Sequence, residues 1–355
     1  MAGAACERGD AEGWGLKWRW GRVWPRSRVW YPENVTTRIP HCTLPEYPAE
    51  IPAARLAAHV QLALPIECRV AILGLPDDTG VRLNGGRPGA REGPRAFREA
   101  LARYGVAQPQ GFAWPRVFDA GDVEPAPGHT EAALLETHRR VGEAAGALLD
   151  LGLFPIAIGG GHDLTLPFVR SVAARHESLA GIYFDAHLDV REGIGSGMPF
   201  RRLVEECGVG PLLVAGFNPL VNAREHVTWF IENGGEIADD DWADHLDLED
   251  AESRGPSLLA PLAGASNLFA SFDMDCLDAA YAPGVSALNP AGVDVRAAAR
   301  AVFIVASDPR LRCLDFMELC PAHDEQGRTA RVAAHLFLHA LMGLRLGPLM
   351  QRESD

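Results

Sequence analysis

From Cys68 onward, apolar residues fall into short unbroken runs, separated by longer stretches in which they recur every three or four positions. The runs at 68–74, 116–119, 154–158, 180–185, 211–216, 268–273 and 312–318 have the length and composition of buried strands. The stretches 131–150, 220–233, 294–306 and 328–345 carry helical spacing and good helix formers. Strands that are apolar on both faces and alternate with helices predict a mainly parallel sheet covered on both sides. One α/β domain over 51–355 is expected, with no internal repeat, and the acidic stretch 236–252 reads as a solvated loop and helix start. Residues 1–50 break the pattern: Trp14, Trp18, Trp20, Trp24 and Trp30 sit among Arg19, Arg22, Arg26 and Arg28 without a period. They are expected to form an extension packed on the body or on a partner subunit, rather than a strip that binds RNA.

Composition narrows the class. At 355 residues the chain can bury a large core, and 47% apolar with 23% charged residues excludes a mainly disordered or fibrous protein. There is no run of 18 apolar residues and no apolar stretch of a secretory signal near Met1, so a cytoplasmic protein without a membrane partner is expected. A formal charge of −14 opposes broad binding to nucleic acid or anionic lipid. The seven cysteines are odd in number, scattered and free of C-x-x-C pairs, which argues against disulfides and zinc–thiolate sites.

Chemistry collects at strand ends, where ligands bind in parallel α/β sheets. After 154–158 comes Gly159-Gly160-Gly161-His162-Asp163; after 180–183 comes Phe184-Asp185-Ala186-His187-Leu188-Asp189; after 268–271 comes Phe272-Asp273-Met274-Asp275. On an extended chain, a spacing of two aims Asp185, His187 and Asp189 the same way, and likewise Asp273 and Asp275. Carboxylates a few ångströms apart in a dry pocket cannot all stay ionised without cations. Four Asp and two His without thiolate suit a hard or borderline ion such as Mn²⁺, and six ligands with bridging carboxylates suit two ions. Taken singly, each aspartate reads as a helix cap. Three such motifs at three strand ends favour a dinuclear centre instead.

These motifs resemble the metal signatures of the ureohydrolases, a family that includes arginase, agmatinase and formimidoylglutamase. The resemblance spans about 68–345 and rests on GGGHD at 159–163, DAHLD at 185–189 and SFDMD at 271–275. It implies an arginase-like three-layer α/β/α fold and two Mn²⁺ per chain activating a bridging hydroxide. By motif position, His162 and Asp189 would bind one ion and His187 and Asp275 the other, with Asp185 and Asp273 shared. Asp189 becomes the proton-shuttle candidate, and Glu318 resembles the family glutamate that pairs with an amidinium or guanidinium.

Several stretches are most similar to formimidoylglutamases: GVRLNGGRPGAREGP at 80–94, SGMPF at 196–200, LDAAYAPGVSALNPAG at 277–292 and MELCPAHDEQGRTARVAAHLF at 317–337. That class hydrolyses N-formimino-L-glutamate to L-glutamate and formamide in histidine breakdown. Arginases usually carry a His-Gly pair in the loop after DAH-x-D, where this chain has Ser196-Gly197. Arg87 and Arg191 are candidates for binding the two carboxylates, since guanidinium binds carboxylate bidentately. Asn84 and Ser196 would add hydrogen bonds. A homo-oligomer acting on a small amidine or guanidino compound is expected. Turnover of agmatine, arginine or a guanidino acid is the alternative, and a non-catalytic metal-binding homologue the remaining one. His335 and His339, four apart on one helix face, read as packing rather than a metal pair, and Cys276 as a wall residue.

Overall fold

The apolar runs become seven of nine strands: β1 (Cys42–Thr43), β2 (Val70–Leu75), β3 (Val117–Val123), β4 (Phe154–Gly159), β5 (Leu179–Phe184), β6 (Leu212–Ala215), β7 (Gly235–Ile237), β8 (Asn267–Asp273) and β9 (Leu311–Met317), with β1 and β7 outside the runs. A computed structural model describes residues 39–63, 67–105, 113–239, 242–243, 246 and 258–351. The Trp/Arg-rich positions before Ile39 and most of the acidic stretch 236–252 lie outside these described residues. Between strands run α1 (Thr79–Leu83), α2 (Gly93–Leu101), α3 (Glu131–Asp150), α4 (Thr165–Ala173), α5 (Pro199–Cys207), α6 (Arg224–Glu232), α7 (Val295–Ser307) and α8 (Arg328–Leu346).

The strands form one sheet in the order β1-β3-β2-β4-β9-β8-β5-β6-β7. All pairs are parallel except β1 with β3. Alternate side chains feed two cores. Val70, Ile72, Ile156, Ile158 and Ile182 pack with Phe97 of α2, Val302 of α7 and Phe337 of α8. Ala71, Leu73, Ala157 and Tyr183 pack with Val141 of α3, Phe168 of α4 and Phe200 of α5. Helices therefore cover both faces, and the expected three-layer α/β/α architecture is present.

Two helix starts follow from caps. Thr130 Oγ1 accepts the Ala133 N–H at 3.2 Å ahead of α3, and Asp294 Oδ1 accepts those of Arg296 and Ala297 at 2.8 and 3.1 Å ahead of α7. The helix expected over 220–233 starts only at Arg224. Residues 220–223 form a turn instead, because Asn222 spends its side chain on the loop after β5. Short elements that periodicity did not reveal are β1, β7, α1, α2, α4 and α5. The last two are nine residues each, with Pro167 and Pro199 in their first turns. Residues Cys42–Thr43, inside the segment set apart as an extension, pair with β3 at the sheet edge.

Candidate metal centre and substrate cleft

The sheet order makes β4, β9, β8 and β5 neighbours although their sequence order is different. Their ends are level, with Ile158 beside Phe316, Asp273 beside Met317 and Phe184 beside Phe272. The residues that follow, His162, Glu318, Asp273–Asp275 and Asp185–Asp189, thus meet at one edge.

Each arm reaches that edge by a specific local device. After β4 the chain slides beneath the loop that follows β2, with the Gly160 N–H on Leu75 O and the Gly161 N–H on Asp77 O, both at 2.9 Å. A Cβ on Gly160 would stand 1.9 Å from Asp77 O, so only glycine fits. After β5, Asp185 Oδ1 accepts the His187 N–H, and after β8, Asp273 Oδ1 accepts that of Asp275, each at 2.7 Å. Both carboxylates fold back on the chain two residues ahead, as Asx turns do. The convergence expected from an extended chain is achieved by turns instead, and Asp189 completes it at a left-handed φ of 47°. Aspartate tolerates that region better than most residues. Asn222 steadies the loop: its Nδ2 donates to Ala186 O at 2.8 Å and its Oδ1 accepts the Leu188 N–H at 3.0 Å.

Two donor groups result. His162 Nδ1 lies 3.1 Å from Asp185 Oδ2, 3.0 Å from Asp189 Oδ2 and 3.1 Å from Asp273 Oδ2. His187 Nδ1 lies 3.3 Å from Asp185 Oδ1 and 3.4 Å from Asp275 Oδ2. Asp185 belongs to both groups, while Asp273 joins the first only. Donor atoms at right angles about 2.1 Å from one divalent ion stand about 3.0 Å apart, the separation seen in the first group. His162 Nδ1, Asp185 Oδ2 and Asp275 Oδ1 are buried without a hydrogen-bond partner among the described residues, as donors aimed at a cation would be. The residues present therefore fit two adjacent cations held by oxygen and imidazole.

The electrostatics agree. Burial, then the charges of Asp275 and Asp185, hold the Asp273 carboxyl well above the usual range, and burial takes Asp275 to about 6. Burial also opposes ionisation of Asp185, yet the imidazoles of His162 and His187 beside it bring it down to about 2. His187 is pushed up to about 12, because Asp275 and Asp185 outweigh its burial. Such a set draws positive charge, and divalent cations satisfy all its lone pairs at once.

Behind His162 stands a relay that the motifs did not reveal. His162 Nε2 is 2.9 Å from Ser271 Oγ, which donates to Asp315 Oδ1 at 2.5 Å, while Thr165 Oγ1 donates to Asp315 Oδ2 at 2.9 Å. The serine proton is committed to the carboxylate, so Nε2 carries the imidazole hydrogen and Nδ1 is left with a lone pair facing the site. The available signal was a buried aspartate inside the apolar run of β9.

Glu318 follows β9 at φ 62° and is buried. Its Oε1 accepts the His162 N–H at 2.9 Å, and Oε2 has no hydrogen-bond partner among the described residues. Burial pushes its carboxyl up to about 8, against the Ser286 hydroxyl and the His162 N–H. Beside the donors, Asn84 Nδ2 donates to Ser196 Oγ at 3.0 Å, the Ser196 N–H to Gly80 O at 3.0 Å and the Arg191 N–H to Gly197 O at 2.7 Å. A Cβ on Gly197 would approach Arg191 Cδ to 2.9 Å, so the arginine stem lies directly on this glycine. Arg191 is exposed and pairs with no carboxylate among the described residues. Arg87 departs from the expected carboxylate role: its Nε and Nη2 donate to Ser286 O and Val285 O at 3.1 and 2.6 Å.

Other candidates fall away. His335 and His339 meet edge to face at 4.4 Å between ring centroids, and among the described residues no third ligand joins them. Burial drives the Cys276 thiol well up, which suits a wall residue. A groove of about 850 Å³ between α3, α4 and α5 contains none of the metal donors. Its Arg139, Arg170, Arg175 and Arg202 are already paired with carboxylates. No described helix is long and apolar enough to cross a membrane.

Comparison with known proteins places this geometry. A formimidoylglutamase of Geobacillus thermodenitrificans is 32% identical over 294 residues, 79% of this chain and 86% of the relative. The mitochondrial guanidino acid hydrolase of Homo sapiens is 30% identical over 289 residues, 77% of this chain and 78% of the relative. Among solved structures, Trypanosoma cruzi formiminoglutamase with Mn²⁺ superposes with a TM-score of 0.72 at 28% identity, covering 84% of this chain and 100% of that one. The arginase family model matches residues 68–343, and the chain is therefore a member of the arginase family of hydrolases.

Proposed function

We propose that this chain hydrolyses N-formimino-L-glutamate to L-glutamate and formamide, with two Mn²⁺ held by His162, Asp185, His187, Asp189, Asp273 and Asp275. When bound, the cations supply the charge that lets the attacking water ionise near neutral pH. Glu318, with its free Oε2, receives the amidinium N–H groups and sets the carbon toward that water by charge-assisted hydrogen bonds. Asp189 takes the proton from the water and returns it to the departing nitrogen as the C–N bond breaks. Oxygen ends on formamide and the amine on glutamate.

The observation that carries the substrate choice is Arg191, an exposed guanidinium with no carboxylate partner among the described residues, beside Asn84 and Ser196 in a chain of charge −14. It suits the carboxylates of a glutamate moiety. Ser196 stands where arginases usually carry histidine, which favours an amidine over a guanidine as substrate. The similarity to a guanidino acid hydrolase supports a second reading, a guanidino acid bound through the same arginine. Incubating manganese-loaded protein with formiminoglutamate, arginine, agmatine and guanidinobutyrate separates them. Formamide from the first is expected to exceed urea from any of the others; the reverse would replace the proposed substrate.

A further inference from the structure

We propose that Arg87 is a positioning residue rather than a substrate contact: its guanidinium clamps the backbone at Val285–Ser286 and so holds that segment against the chain leaving β9, just past Glu318. The segment from Leu277 to Val293 carries no helix or strand and is pinned at its base by bridges from Leu277 to Val293 and from Asp278 to Asn289. Its far end needs separate ties. Gly284 N–H donates to Thr329 Oγ1 at 2.8 Å, and Cys320 N–H to Gly284 O at 2.8 Å. Arg87 supplies the next two bonds, to Ser286 O at 3.1 Å and Val285 O at 2.6 Å. Two donors of one planar fork thereby fix two successive carbonyls, which a lysine ammonium at the end of a flexible stem cannot reproduce. The connection that carries Arg87 also meets the chain past Glu318 directly, Cys320 Sγ donating to Pro88 O at 3.6 Å, while Glu318 itself sits at a left-handed backbone with Oε1 accepting the His162 N–H. The 84–92 connection, the 277–293 segment and the end of β9 thus form one chain of contacts terminating at the amidinium partner.

The effect of Arg87 on turnover depends on the reading of Glu318 given above; its effect on the segment does not. The experiment has two arms. In the first, kcat and KM are measured for wild type, Arg87→Lys and Arg87→Met, on formiminoglutamate and on a carboxylate-free N-alkylformamidine. A positioning role predicts a kcat loss of about 10- to 100-fold on both substrates, the scale of a modest misplacement of a catalytic group. It also predicts KM for formiminoglutamate within about twofold of wild type and no rescue by lysine. A KM increase confined to formiminoglutamate with kcat retained would overturn it in favour of substrate contact. In the second arm, hydrogen exchange of the 284–287 amides in Arg87→Met is expected to quicken at least about tenfold, and unchanged exchange would overturn the clamp. If wild type released no formamide, the substrate reading would fail while the exchange arm still decided the clamp.

Discussion

Asp315 shows how much a single residue outside the motifs contributes. It never faces the donor groups, yet through Ser271 it assigns the His162 hydrogen to Nε2 and frees Nδ1. Asp315→Asn is expected to weaken binding at the His162 group by about 10- to 100-fold, the usual effect of losing such a partner, and to leave the His187 group occupied. Manganese titration showing two unchanged affinities would refute the relay. A different buried charge serves stability: Arg98 binds Asp119 bidentately at 2.8 and 3.0 Å and Asp122 at 2.7 Å, with Tyr47 donating to Asp119 at 2.8 Å. Arg98→Met leaves Asp119 charged and unpaired in the core, which costs about 3 to 5 kcal/mol. Urea unfolding gives the measure, and a loss under about 1 kcal/mol would show that the cluster relaxes freely. At this scale the six donors and Glu318 were legible, because Asp and His in three spaced motifs have few other uses together. Asp315 was hidden by an ordinary-looking apolar context, Ser271 stood in the SFDMD motif with no role assigned to it, and the role of Arg87 was hidden because carbonyl partners leave no trace in sequence.

Elements carry the donors only if the connecting loops pass one another closely. Gly160 marks the tightest crossing, so Gly160→Ala must push the β4 loop away from Asp77 O and move His162 with it. Turnover is expected to fall at least about 100-fold, since a displacement near 1 Å suffices for that. Activity near wild type, with the alanine present and the chain folded, would contradict the packing described. The long elements α3, α7 and α8 were readable from periodicity because each sustains its spacing over several turns. The nine-residue α4 and α5 were not, since proline and glycine near their starts resemble loop punctuation. The same ambiguity hid the turn before α6, where Asn222 is diverted to the Asp185–Asp189 loop.

On the scale of the molecule, the decisive event is the insertion of β9 and β8 between β4 and β5. No motif reports it; strand neighbours follow from which faces bury which helices, and only the three-dimensional packing brings Glu318 beside His162. All the metal donors lie beyond residue 150, so a chain lacking residues 1–38 is expected to keep turnover within about twofold of wild type. A loss beyond about tenfold, about 1.4 kcal/mol in the barrier, would tie that segment to the site or its assembly. A cation that binds only the folded state stabilises it, so chelation is expected to lower Tm, and restoring Mn²⁺ to raise it again. The most direct test of the central claim is manganese content per chain, measured by plasma mass spectrometry on wild type and Asp185→Ala after equilibration with excess metal and removal of unbound ions. Two Mn²⁺ per wild-type chain, with fewer than two and no formamide release in Asp185→Ala, is the result the shared carboxylate predicts. One ion or none in wild type, or two retained in the variant, would contradict it.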